Sequence, residues 1–337
     1  MSELGRDLDS FALASRFSGV VRVDEGDDVV FAQAYGLANR SWDVPNALDT
    51  RFATASGTKG FTALTIASLV EDGVIEVDTR ARAVLGGDLE LIGGDVTVEH
   101  LLAHRSGIGD YLDEESGLDL REHLMTVPVH ELATSEQYVR VLDGRPAKFA
   151  PGERFSYCNS GYVVLAIIAE RVTGVAFHEL VLQRVCRPMG LRDTAFLRSD
   201  ELPERTAVGY LDDDGLRTNV FHLPVRGSGD GGIYTTVGDA ARFWRALFEG
   251  AVVPTPRVAD LVRLRSRTGS TPSGYGLGFW LDPDRGTVLL VGSDAGVSFA
   301  TQHAPSRQLT ATVISNTTDG AWPLMRLLRE WLHTERG

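Results

Sequence analysis

At 337 residues, with 43% hydrophobic and 23% charged side chains, the chain is long enough for one large or two ordinary domains and has the balance of a soluble globular protein. A formal net charge of -13, with no Lys/Arg cluster interleaved with aromatics, argues against nucleic acid and against an anionic membrane surface as partners. Of the 33 basic residues only Lys59 and Lys148 are lysine, so plain positive charge is left to arginine and a cation able to release its proton is scarce.

The N-terminal stretch Met1 to Asp9 is acidic and lacks the apolar run of a secretory signal. The longest apolar run, Tyr162 to Ala169, is far short of the ~20 residues of a spanning helix. These features predict a cytoplasmic location, in which Cys158 and Cys186 are free thiols. Ser18 to Val23 and Val29 to Tyr35, joined by an acidic turn, predict a β-hairpin. An apolar-periodic helix follows over about 56–72, stopped by Gly73, and Ser56 stands at its N-terminus, where free N–H groups favour developing negative charge. Residues 76–225 read as mainly helical, broken by turns such as Pro151-Gly152 and the solvated Asp212 to Gly215. Beyond Gly232 the pattern predicts a helix over 239–249, strands over 276–281, 287–291, 297–302 and 309–315, and a closing amphipathic helix over 322–334. Strands at both chain ends with helices between them define the fold class: α/β (α+β), an antiparallel sheet built from both termini and flanked by helices, with a mainly helical insertion. One domain spans 1–337, its sheet lobe about 1–75 and 226–337 and its helical lobe about 76–225.

Chemistry starts at Ser56-Gly57-Thr58-Lys59. On a helix this spacing puts hydroxyl and amine on one face, with Cβ atoms roughly 5–6 Å apart, the arrangement of a Ser-Lys activated nucleophile. The spacing by itself is weak, since a Ser-x-x-Lys match is expected about once by chance in a chain of this size. A second element is Tyr157-Cys158-Asn159, just before a helix starting near Gly161. Tyr157 and Asn159 are two apart in an extended turn and face one site together, while Cys158 points away and is read as a small buried residue.

With these two elements the chain resembles the class C β-lactamase-like serine hydrolases, the superfamily of penicillin-binding proteins, D-aminopeptidases and family VIII esterases. The resemblance runs from about Gly19 to the C-terminus. It also includes Leu101 to Ile108, Pro188 to Thr194, Gly229 to Thr236 and Tyr275 to Phe279, in the family's order. It implies that Ser56 attacks an ester or amide carbonyl of a small-molecule substrate. Lys59 and Tyr157 then share the proton traffic, Asn159 holds the lysine or the substrate carbonyl, and an acyl-Ser56 intermediate forms without any cofactor or metal. Which of Lys59 and Tyr157 is the general base stays open. The third motif departs from the family's Lys-Thr-Gly or His-x-Gly: here the stretch is Val291 to Val297, with Ser293 in the cationic position and Asp294 beside it. The resemblance leaves the Gly296 N–H to join that of Ser56 as an oxyanion hole, whereas the cation that would hold a substrate carboxylate is gone.

An esterase or amidase acting on neutral or amine-bearing substrates is therefore expected, with weak β-lactamase activity, unless one of the arginines enters the site from elsewhere. An acyltransferase of the same fold and a non-catalytic binding or sensor protein are the alternatives, and the oligomeric state is expected to be a monomer or a small homo-oligomer. Other features carry less. His100 and His104 lack the order and third ligand of a metal site, so His104 is expected to hydrogen-bond within its loop. Gly227 to Gly232 reads as a tight turn near the cleft and not as a dinucleotide loop. Tyr111 and Trp280 are candidates for the pocket wall, and Lys148 matches no catalytic pattern.

Overall fold

The computed structural model describes residues 3–117, 119–269 and 272–334. The chain opens with a helix, α1 (Glu3–Ala14), whose Leu4, Leu8 and Ala12 are buried at four-residue spacing. Its acidic residues hide that stripe in the sequence, and the element is absent from the sequence-based expectation. Strands β1 (Gly19–Glu25) and β2 (Asp28–Tyr35) form the expected hairpin, turned at Gly26. The C-terminal third supplies β3 (Ser266–Arg267), β4 (Gly274–Tyr275), β5 (Trp280–Asp282), β6 (Thr287–Asp294), β7 (Val297–Ala304) and β8 (Leu309–Ser315).

These eight strands make one antiparallel sheet in the order β2-β1-β8-β7-β6-β5-β4-β3. The first strand pairs with the last, from Gly19 opposite Ser315 to Glu25 opposite Leu309, so both chain ends build the same sheet. Side chains alternate between its faces. Val20, Leu290, Phe299 and Ile314 join the larger core on the front, and Val21, Val23, Ala300 and Val313 face the back. The back is covered by α1 and by the closing helix, Ala321–Thr334.

On the front lies α2 (Thr58–Glu71), buried on every side from Thr58 to Leu69. It packs against α3 (Asn159–Thr173), itself buried from Asn159 to Ala169 and ended by Gly174 in the left-handed region. No single helix among the described residues is long and apolar enough to cross a membrane; the one pair that passes together, 159–173 and 177–189, is bent by 87°.

Two sequence expectations are corrected. Residues 76–225 hold short helices such as Ala81–Leu85 and Val98–Leu102 beside α3, but 190–233 is almost entirely irregular. Pro203, Pro224 and six glycines between Gly209 and Gly232 interrupt any periodic pattern there. Of the strand expected over 276–281 only Trp280 and Leu281 are extended, within β5; 276–279 is a turn, in which the Gly276 N–H donates to Phe279 O (2.9 Å) and Gly278 has φ +91°. A Cβ at Gly278 would lie 2.3 Å from Ala63 Cβ, so glycine is what lets this turn seat on α2 one residue turn beyond Lys59.

Candidate active site

Ser56 sits in the 3-10 turn Ala55–Gly57 that leads into α2. Ala55 takes φ +45°, which costs a non-glycine residue about 1–2 kcal/mol and is a local strain located next to the candidate nucleophile. Strand β6 presses directly against this turn: a Cβ at Gly292 would lie 2.0 Å from Thr54 O and 2.7 Å from Ser56 N. Only glycine permits that approach.

Lys59 is buried and reaches three oxygens at 2.8 Å: Ser56 Oγ, Asn159 Oδ1 and the carbonyl of Asp230. Two of these can only accept, whereas the serine hydroxyl can also donate. A neutral amine, with two N–H bonds and one lone pair, therefore satisfies the set with its lone pair turned to Ser56. Burial lowers the Lys59 pKa and favours that form, and the charges of Asp230, Glu114 and Asp110 work against it. The amide orientation of Asn159 follows from its neighbours, because its Nδ2 donates to Leu112 O (3.0 Å) and Glu114 Oε1 (3.1 Å).

The segment carrying Tyr157 and Asn159 is held from outside the motif. Asp110 accepts from the N–H groups of Asn159 (2.8 Å) and Ser160 (2.9 Å) and from Ser160 Oγ (3.0 Å), at the buried start of α3. The His104 Nδ1 accepts the Cys158 N–H (3.0 Å), so the ring anchors the motif across the chain instead of bonding within its own loop as expected. Cys158 is buried away from the other two side chains. Tyr157 brings its ring to 4.8 Å from Lys59 Nζ and stacks on Trp280 at 5.6 Å and 18°. Trp280 thus backs the tyrosine and is not part of the pocket wall. Burial, then the charge of Glu114, push the Tyr157 phenol well above its ordinary pKa, and a hydrogen-bonding interaction with Ser56 opposes them.

The third-motif residues are placed as follows. Asp294 and Val297 close a two-residue hairpin through Ala295 and Gly296, the latter at φ +70°. The Gly296 N–H is donated to Thr318 Oγ1 (2.9 Å), outside the turn, and is thereby used up, which corrects the expectation that it serves an oxyanion hole. By the antiparallel alternation, Ser293, opposite Ser298, directs its N–H away from β7. Because β5 pairs with β6 only from Thr287 to Leu289, that N–H emerges on a strand edge facing the Ser56 turn.

A cleft opens over Ser56. Tyr111, Asn159, Ser293 and Asp294 line it, with Asp230, Gly231 and Gly232 from the glycine-rich turn and Tyr138, Leu197, Leu223 and Val225 from the irregular loops. No arginine or histidine is among the lining residues described, so a substrate carboxylate meets no rescuing guanidinium. Three carboxylates line it instead: Glu114, Asp230, which accepts from the Tyr111 hydroxyl, and Asp294. Asp110 and Glu114 carry no sequence signal that connects them to Asn159, 49 and 45 residues away. The other lysine, Lys148, pairs with Asp113 at 2.7 Å.

Burial raises the pKa of Glu114 and of Asp230, and pushes Asp294 up to about 7, with the charges of Glu114 and Asp230 adding to it. The native value for Asp294 exceeds the ordinary 3.8, so its proton stabilises the fold. That contribution is complete below about pH 4 and is lost as the pH rises through 7. Asp294→Asn is expected to raise thermal stability at about pH 8, on the order of 1–2 kcal/mol after solvent screening, with the gain vanishing near pH 4. Melting curves across this range check it, and equal destabilisation at both ends would contradict it.

Fold and site together define a protein of the β-lactamase and penicillin-binding-protein class, with a serine beside a buried lysine at the cleft. A Beta-lactamase family model matches residues 12–333, and the chain belongs to that family. It is 28% identical to Penicillin-binding protein 4* of Bacillus subtilis (strain 168), over 81% of this chain and 62% of that one. It is also 28% identical to Esterase EstB of Burkholderia gladioli, over 83% of this chain and 77% of that one. The crystal structure of a penicillin binding protein from Bacillus halodurans matches with a TM-score of 0.90 at 33% identity, covering 96% of this chain and 99% of that chain. The chain thus spans about six-tenths of the length of the first of these relatives.

Proposed function

We propose that the protein is a serine hydrolase that cleaves an ester or amide of a small molecule through an acyl-Ser56 intermediate. The observation that carries this reading is the 2.8 Å contact between the buried Lys59 Nζ and Ser56 Oγ, made at the floor of the cleft. As Ser56 Oγ bonds to the substrate carbonyl carbon, its proton passes to the Lys59 lone pair, and the carbonyl π electrons move onto oxygen. The N–H groups of Ser56 and Ser293 hold that oxygen. Collapse of the adduct breaks the bond to the leaving group, which takes a proton from Tyr157, a phenol kept protonated by its burial. Lys59 reprotonates Tyr157, and water then repeats the sequence to release the acid. Every step uses groups of the chain and water alone.

The cleft's carboxylates, and the lack of an arginine among the described residues that line it, support neutral or amine-bearing substrates over penicillins and other carboxylates. The kcat/KM for short p-nitrophenyl esters is expected to exceed that for nitrocefin by at least about tenfold, roughly the loss of one charge-assisted contact. Nitrocefin turnover well above ester turnover would overturn the substrate assignment. Two buried free thiols, Cys158 and Cys186, support placing the protein in a reducing, cytoplasmic compartment.

A further inference from the structure

We infer that Asp294 is the anchor for a protonated amine on the acyl part of the substrate, so that the preferred substrates are esters or amides of amino acids. The inference rests on the hydrolase reading above and deepens it. Asp294 lies two residues beyond Gly292 on the same strand, hence on the same face and about 6.5–7 Å further along. Gly292 marks the level of the Ser56 N–H, where the reacting carbonyl sits. An ammonium on the α-carbon or one or two carbons beyond lies roughly 2.5–5 Å from that carbonyl carbon, and a hydrogen bond of about 2.8 Å completes the span.

The surrounding side chains leave this carboxylate for the substrate. One Asp294 oxygen accepts the Ala295 N–H (2.9 Å), and the other has no donor or cation among the described residues. Glu114 and Asp230, the other carboxylates in the cleft, are already committed to Asn159 and Tyr111. Lys59, the only cation at the floor among the described residues, is occupied by Ser56, Asn159 and Asp230. An incoming ammonium thus gains a charge-assisted bond to Asp294 in a field made more negative by its two neighbours. Leu197, Leu223 and Val225 offer the remaining wall to an apolar side chain.

The test is a matched series of p-nitroanilides, alanyl (both enantiomers) against propionyl, run beside p-nitrophenyl acetate. The wild type is expected to favour the better alanyl enantiomer over propionyl by at least about tenfold in kcat/KM. Asp294→Asn is expected to collapse that ratio to within about threefold, and Asp294→Glu to retain a clear preference. Should either variant fail to fold, alanine amide must compete with acetate-ester turnover in the wild type at least about tenfold better than propionamide. Acetate turnover with no preference for the amine, or a preference that survives Asp294→Asn, overturns the anchor and leaves the hydrolase reading standing. Absence of all acylation overturns the hydrolase reading itself.

Discussion

Lys59→Arg is expected to slow acylation of Ser56 by about 10³-fold or more while the fold survives. The guanidinium keeps a positive charge next to the Asp230 carbonyl and the Asn159 amide oxygen, so attraction to the neighbouring carboxylates is retained. What it loses is the ability to exist as a free base: arginine stays protonated at any working pH, whereas burial draws the lysine toward its neutral form. A stopped-flow burst of p-nitrophenol from a short ester reports acylation directly, and a thermal melt reports folding. A burst near the wild-type rate in a folded Arg variant would refute proton transfer through Lys59.

Ser56→Ala is expected to lower ester turnover by about 10⁴-fold or more, to the background left by binding and the oxyanion donors. Its effect on stability should stay within about 1 kcal/mol, since the hydroxyl lines the cleft and Lys59 keeps its other two partners. Steady-state hydrolysis and a melt of the same preparation separate the two. Activity within tenfold of the wild type would place the nucleophile elsewhere.

Particular residues show how far the site could be read before folding. Ser56 and Lys59 were legible because a three-residue helical spacing is local, and a chain with two lysines makes such a pairing conspicuous. The β1–β2 hairpin was legible for the same reason: alternation and a turn are short-range signals. Asp110 and Glu114 were not, because their partners are 45 to 50 residues away and nothing in their spacing points to α3. Helix α1 was lost because acidic residues sit between Leu4, Leu8 and Ala12. Gly296 was misassigned for a conformational reason: sequence order placed it after Ser293 and Asp294, but the tight hairpin turns its N–H onto Thr318, 22 residues downstream. In the sequence Asp294 stands out only by its charge; the assembled fold shows that, among the described residues, one of its oxygens has no partner and no arginine lines the cleft.

The central claim, covalent catalysis through Ser56, is tested most directly by the mass of the Ser56 peptide after reaction with a fluorophosphonate probe or after acid quench of ester turnover. The mechanism predicts one adduct, on Ser56, in the wild type and none in Ser56→Ala. An adduct on another residue, or none at any pH where the ester is hydrolysed, would contradict it.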